Sequence, residues 1–189
     1  PESTSTEPVA DLQQAQSKCS RAIENDRNLA SAWALRGDIA RKEGKTDDAL
    51  AFYLRAKSLP NCPEDVPLTI ADIYGELGRP QRALAVLQSL AENYPPNYVP
   101  AAIVYREGLA LRALGRNDQA ADCFLTVCQG NQPQPEYFHH LADARLACGD
   151  VANARLAAQN ALNLDPNFAP ARQLLDQIKP LGQELSKLP

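Results

Sequence analysis

The chain contains few residues whose types and spacing could perform chemistry. His139 and His140 are the only histidines among its 189 residues. His139 and Asp143 stand four residues apart, so on a helix they would share one face, a spacing that can hold a metal ion. No third ligand is near, and the sequence lacks a phosphate-binding loop, a nucleophile elbow or an HExxH motif. We therefore expect no metal, no other cofactor and no catalytic activity.

The cysteines do not form a recognisable site either. Their number is odd, and no CxxC pair or Cys/His cluster occurs among Cys19, Cys62, Cys123, Cys128 and Cys148. Cys123 and Cys128 share a predicted helix, but five steps of about 100° place them about 140° apart around its axis. We expect free thiols that pack as small apolar side chains.

Charge and composition exclude two classes of partner. The net charge is −4, whereas nucleic-acid-binding domains usually carry a basic surface, so no nucleic-acid partner is expected. No apolar run approaches the roughly 20 residues that a membrane-spanning helix needs, so no membrane insertion is expected. Residues 1–8 are acidic, rich in hydroxyl groups and bounded by proline, which predicts a disordered tail or linker.

An internal repeat dominates the rest of the sequence. A glycine followed five residues later by an alanine recurs at intervals of 34, 37 and 34 residues: Gly44 and Ala49, Gly78 and Ala83, Gly115 and Ala120, Gly149 and Ala154. Seven residues before each glycine stands a tiny residue, and nine residues after it stands a bulky apolar residue in three of the four copies. The three extra residues of the middle interval fall in the proline-rich stretch 95–100, where an insertion disturbs least.

The repeated pattern describes two antiparallel helices joined by a tight turn. Glycine supplies the positive φ that commonly ends a first helix. Small residues such as Gly37 and Gly108 allow two helices to approach closely, while bulky residues such as Tyr53 and Phe124 fill the space between neighbouring pairs. Asp47 and Asp118 are expected to cap the second helices of their pairs.

These motifs resemble the tetratricopeptide repeat family, whose unit of 34 residues carries W-x2-L-G-x2-Y, A-x3-F and a final proline. The matching residues are Trp33-x-Leu35-x-Gly37 with Ala49-x3-Tyr53, and Leu141-Ala142 with Ala154 and Asn163–Pro166. The resemblance implies an all-α, right-handed superhelical solenoid of antiparallel helix pairs. Its predicted parts are a single solenoid over 9–189, with a partial repeat 9–29, repeats 30–63, 64–97, 101–134 and 135–168, and C-terminal capping helices 169–189.

The two flanks continue this pattern in part. Ala15-x3-Cys19-x2-Ala22 matches the second helix of a preceding unit, and 169–179 is predicted to form a further first helix. Pro180 is expected to interrupt that helix. Both ends are expected to act as caps, because stacked repeats would otherwise expose an apolar face.

The resemblance further implies a concave groove lined by the first helix of each pair. The candidate partner-binding residues at groove positions are Asp38, Arg41, Asp72, Tyr105, Arg106, Arg112, His139 and Asp143. Three of the four repeats place aspartate at the same groove position, which suits a partner segment that carries Lys, Arg or backbone amide donors. The alternative is that these charges only solvate an exposed helix face.

Three functions fit the sequence. The chain is expected to be a non-catalytic scaffold that binds a peptide or protein segment in the groove. It lacks the lysine and asparagine that chaperone-clamping repeats carry at two groove positions, where its first unit has Ala34 and Asp38. The alternatives are a homodimer that pairs through terminal helices, suggested by Leu181, Leu185 and Leu188, and a targeting arm of a larger polypeptide.

Overall fold

The computed structural model describes residues 7–95 and 98–185. In these residues ten helices and no strands are present, so the fold is all-α. The helices are α1 (Glu7–Asn25), α2 (Ala30–Lys42), α3 (Thr46–Lys57), α4 (Val66–Glu76), α5 (Pro80–Ala91), α6 (Ala101–Ala113), α7 (Asn117–Cys128), α8 (Pro135–Ala147), α9 (Val151–Leu164) and α10 (Ala169–Leu185). Predictions for residues 1–6, 96–97 and 186–189, Leu188 among them, lie outside the described residues.

The repeated glycine ends the first helix of a pair, as the sequence predicts. Gly44 has a φ of 74°, in the left-handed region that glycine adopts without strain. Its N–H donates to the Arg41 carbonyl at 2.9 Å, and the next N–H, that of Lys45, donates to the Ala40 carbonyl at 2.9 Å. These are the two hydrogen bonds of a Schellman turn. Gly115 and Gly149 make the same pair of bonds, so one local device sets three of the tight turns.

Small residues in the first helices lie directly against large rings in the second helices. A Cβ atom added to Gly37 would lie 2.8 Å from the Tyr53 ring, and one added to Gly108 would lie 2.7 Å from the Phe124 ring. Both rings are buried. In the fourth repeat both positions hold a fully buried alanine, Ala142 and Ala158, so a larger residue on the first helix accompanies a smaller one on the second.

The packing of the backbone divides the chain into two compact units, Pro1–Gly78 and Arg79–Pro189. In the first unit α1 packs on α2, α2 on α3 and α3 on α4, around buried side chains that include Tyr53, Ile70 and Ile73. In the second unit consecutive helices from α5 to α10 pack on one another around Leu87, Ile103, Phe124 and Ile178. The predicted repeat boundaries and the single solenoid over 9–189 stay predictions.

Two helices extend beyond the ends that the sequence predicts. Helix α1 already includes Glu7 and Pro8, the last two residues of the predicted tail, because proline is tolerated in a first helical turn. Helix α10 continues through Pro180 to Leu185, so the expected interruption is wrong. A proline inside a helix removes one backbone hydrogen bond and bends the helix, and here the helix does not end there.

The predicted caps at Asp47 and Asp118 are also wrong. The N-cap residues of α3 and α7 are Lys45 and Arg116, and neither makes a side-chain capping bond. The two aspartates lie inside the first turn, where a negative charge interacts favourably with the helix dipole. The capping aspartate is Asp150, whose carboxylate accepts a hydrogen bond from the Asn153 N–H at 3.2 Å.

Candidate functional site

The predicted groove residues all lie on first helices of pairs. Their distribution over the two units is uneven. In the first unit Asp38 and Arg41 lie on α2 and Asp72 lies on α4, whereas the second unit carries Tyr105, Arg106 and Arg112 on α6 with His139 and Asp143 on α8. Each unit therefore presents its own part of the candidate surface.

In the first unit both α2 residues are held by neighbouring helices. The Tyr53 hydroxyl on α3 donates to Oδ1 of Asp38 at 2.5 Å. Burial and this hydrogen bond raise the pKa of Tyr53, so its hydroxyl stays protonated as a donor. Nη2 of Arg41 lies 2.7 Å from Oε1 of Glu76 at the end of α4, in a solvent-exposed ion pair. Asp38 is exposed, and the buried Tyr53 holds its carboxylate in place through this hydrogen bond.

In the second unit Tyr105 belongs to a cluster of rings on α6, α7 and α8, to which a ring directly before α10 is added. We call this set the aromatic cluster: Tyr105, Phe124, Tyr137, His139, His140 and Phe168. The Tyr105 ring lies 4.8 Å from Tyr137, 5.7 Å from His140 and 5.9 Å from Phe124, measured between ring centroids. Tyr105 is half-buried, and burial, followed by the nearby Glu136, raises its pKa. It is an aromatic residue fixed by its neighbours rather than a freely exposed side chain.

Two polar side chains near this cluster are incompletely satisfied. Nδ1 of His139 is buried without a hydrogen-bond partner among the described residues, while the ring packs edge-on against Phe168 at 5.9 Å. Nη1 of Arg112 donates to the Asn117 side-chain oxygen at 3.1 Å, but its Nε is buried and has no partner in the same part of the chain. A buried polar atom without a partner costs free energy, so both side chains would gain from a ligand that reached them. Arg106, also on α6, donates to the Ala102 carbonyl at 3.1 Å.

His140 is half-buried, and its ring lies against those of Tyr105, Phe124 and His139. Its ring stacks on Phe124 with centroids 5.5 Å apart and an interplanar angle of 26°. Burial lowers the pKa of His140, and so do His139 and Arg112, whereas the carboxylates of Asp143 and Glu136 act in the opposite direction. His140 is therefore neutral at pH 7.

Sequence reasoning missed Tyr137 and Phe168 as members of this site. Tyr137 contacts Tyr105 across 32 positions of sequence, a contact that no local pattern reveals. The available signal was the spacing of Tyr137 and His140, which stand three residues apart on α8 and so share a helix face. Phe168 directly precedes α10 and reaches His139 from there.

The thiols and carboxylates do not assemble a reactive centre in the described residues. These contain no group of three or more His, Cys, Asp or Glu side chains placed to hold a metal ion. The five cysteines are free, and burial is the main cause that raises the pKa of Cys123 to about 11 and that of Cys128 to about 12. Thiols that stay protonated at neutral pH are poor nucleophiles and poor metal ligands. No described helix is both long and apolar enough to cross a membrane.

A comparison with protein families gives one match. The model of the tetratricopeptide repeat family matches residues 10–66 and 68–135. Among curated proteins no match is found.

Solved structures of similar fold are numerous at low sequence identity. YrrB, a tetratricopeptide repeat protein with an unusual peptide-binding site, has a TM-score of 0.75 at 19% identity, over 88% of this chain and 84% of that one. MamA from Desulfovibrio magneticus RS-1, from residue 41 to its end, has a TM-score of 0.73 at 18% identity, covering 82% and 85%. A tetratricopeptide repeat protein from Parabacteroides merdae ATCC 43184 has a TM-score of 0.77 at 19% identity, covering 90% and 67%. At these identities the likeness concerns the fold, and it confirms the predicted all-α solenoid of antiparallel helix pairs.

Proposed function

The chain belongs to the tetratricopeptide repeat family, and we propose that it is a non-catalytic scaffold that binds an extended protein segment along its first helices. The fold of this family supports protein–protein interaction in general. For this chain we place the bound segment at the groove positions on α2, α4, α6 and α8. We further propose that these positions prefer segments that carry Lys or Arg.

The observation that carries this proposal is the aromatic cluster of the second unit. Tyr105 and His139 are half-buried, so part of each side chain remains accessible while its neighbours fix its rotamer. A rigid aromatic side chain gives a large contact area at a small entropic cost, and aromatic residues are enriched among those that dominate binding energy. Arg112 and Asp143 lie beside the cluster and supply polar groups at its margin.

The preference for basic segments is supported by a difference between the arginines and the aspartate at the groove positions. Arg41 is paired with Glu76, and Arg112 with Asn117, so these cations are partly engaged within the protein. Asp38 is exposed and held in a fixed position by the Tyr53 hydroxyl. A carboxylate fixed in this way can accept a charge-assisted hydrogen bond without losing much side-chain entropy.

The test begins with a library of random peptides displayed on phage and selected against the purified chain. The best-binding peptide is then synthesised and titrated by calorimetry. We expect selected sequences to be enriched in Lys and Arg. A variant with Asp38→Asn, Asp72→Asn and Asp143→Asn should bind the peptide at least about tenfold more weakly, because charge-assisted bonds are lost.

A matched control makes the same change of charge away from the first helices, with Asp47→Asn on α3, Asp122→Asn on α7 and Glu92→Gln directly after α5. We expect its affinity to stay within about twofold of the parent, because remote exposed charges contribute little. Equal losses in both variants would show that net charge alone drives the binding. Selected peptides without basic residues would contradict the stated preference.

A further inference from the structure

The first unit contains a polar cleft. The cleft and the groove positions lie on different faces of α2. It has a volume of about 250 Å³ and lies between α1 and α3, with α2 as its floor. Its polar lining consists of Gln16, Ser20, Arg36, Glu43, Lys45 and Asp48, and Phe52 forms an apolar wall.

The positions on α2 show that the cleft is separate from the proposed groove. At about 100° per residue, Arg36 and Glu43 lie about 20° apart around the helix axis. Asp38 and Arg41 lie about 140–160° from Arg36 on the same scale. A ligand in the cleft would therefore contact the opposite face of α2, so this inference does not depend on the proposed function.

Arg36 supplies a half-buried cation to the lining of the cleft. Its guanidinium carbon lies 4.9 Å from the centroid of the Phe52 ring, so the planar group is held against an aromatic face. Nη1 lies 3.4 Å from the Ser20 hydroxyl oxygen, a long contact. No carboxylate among the described residues forms an ion pair with Arg36. Most of its five N–H donors are therefore available at a fixed position.

One of the two carboxylates that line the cleft, Glu43, is already paired. Oε1 of Glu43 accepts a hydrogen bond from the Gln16 amide at 2.5 Å, and Oε2 lies 3.0 Å from Nζ of Lys45. Asp48 is exposed at the lining's α3 side, in the first turn of that helix. With Glu43 paired to Lys45, the charged lining residues that form no ion pair within the described part of the chain are the half-buried Arg36 and the exposed Asp48.

We propose that this cleft binds a carboxylate side chain, glutamate or aspartate, presented by an extended segment of a partner protein. The carboxylate forms a two-point hydrogen-bonded pair with the Arg36 guanidinium, the geometry for which arginine is suited. The size of the cleft favours a single side chain, because pockets for complete small ligands usually start at about 300 Å³. The segment itself runs outside, along the gap between α1 and α3.

The test is an NMR titration of the full chain that follows the Arg36 Nε–Hε signal. The probe is the capped peptide acetyl-Ala-Glu-Glu-Ala-amide, and the matched probe carries glutamine in place of glutamate. We expect a saturable shift with the glutamate peptide and at least about tenfold weaker binding of the glutamine peptide, because the charge-assisted pair is lost. Equal binding of the two peptides would overturn the proposal, as would the absence of saturation. Tighter binding of free L-glutamate than of the peptide would overturn the assignment to a protein segment.

Variants locate the binding and separate it from folding. The variants are titrated by following the backbone amide signals of Ser20 and Phe52, because Arg36→Gln removes the Arg36 side-chain signal. Arg36→Gln should reduce affinity for the glutamate peptide at least about tenfold. Arg55→Gln, which removes an exposed arginine over Trp33 outside the cleft, should leave it within about twofold. Asp48→Asn removes a like charge from the lining and should tighten binding about two- to fivefold, a gain that misfolding cannot imitate. An equal loss in Arg55→Gln, or no gain in Asp48→Asn, would overturn the proposal.

Discussion

At the scale of single residues, the contact between a first-helix glycine and a second-helix ring decides how closely two helices pack. Tyr53 is 2% exposed, its ring covers Gly37, and its hydroxyl is bonded to Asp38. The ring therefore cannot move aside without losing both burial and a hydrogen bond. A Cβ atom added to Gly75 on α4 would instead meet no atom of the described residues within 4 Å.

Gly37→Ala should lower the free energy of unfolding by about 1–3 kcal/mol, because the added methyl group overpacks the contact with Tyr53. The matched change Gly75→Ala should raise it by about 0.5–1 kcal/mol, because alanine is the better helix former and meets no neighbour. Urea unfolding followed by circular dichroism measures both. If the two variants shift stability in the same direction, the packing argument fails.

His140 makes stability depend on pH in a direction set by its lowered pKa. As pH falls through about 6.5, the ordinary value for histidine, the unfolded chain binds a proton that the folded chain binds only at lower pH. The folded state is therefore favoured above this pH and loses this contribution below it. Unfolding free energies of the parent and of His140→Gln, measured from pH 8 to pH 5.5, should converge or cross as pH falls. A constant difference between them would contradict the burial of a neutral imidazole.

At the scale of helices, the turn after each first helix dictates which residue begins the second. Lys45, Arg116 and Asp150 each donate the outer bond of a Schellman turn and also stand at the N-cap of the next helix. Only Asp150 carries a side chain that caps. The sequence shows the glycine that ends one helix, but the residue that begins the next follows from the turn geometry. For this reason the predicted caps at Asp47 and Asp118 were placed too far along the chain.

Arg116→Asn should supply the cap that α7 lacks. Relative to Arg116→Ala, which removes the same arginine without adding a cap, it should raise the free energy of unfolding by about 0.5–2 kcal/mol. The comparison with alanine cancels the loss of the hydrogen bond that Arg116 donates to the Gln119 side chain. Thermal unfolding of the two variants in the same buffer measures the difference. Equal melting temperatures would mean that the side chain at this position does not reach the free N–H groups of α7.

At the scale of the whole molecule, the fold was predictable because its information is local and repeated. Four copies of one glycine–alanine spacing indicate helix pairs, and each copy checks the others. The candidate site was less predictable because it depends on contacts between repeats. Tyr105 meets Tyr137 and His140 only after α6 and α8 pack on α7, and Nδ1 of His139 is then buried without a partner in the described part of the chain. No single helix carries these contacts in its own pattern.

Because helices pack mainly on their neighbours in sequence, the effect of a destabilising substitution should extend over only a few helices. In repeat proteins each element is stabilised by its neighbours, so a weakened contact should act over a short distance. Gly37→Ala should therefore speed hydrogen exchange of backbone amides most in α2 and α3, which share the Gly37–Tyr53 contact. The amides of α8 and α9, which pack on each other in the second unit, should change far less. Hydrogen exchange followed by mass spectrometry measures both sets of amides. Gly108→Ala, which disturbs the contact with Phe124, should speed exchange most in α6 and α7 and change α2 and α3 far less. A uniform increase across all helices in both variants would instead show that the chain opens as one cooperative structure.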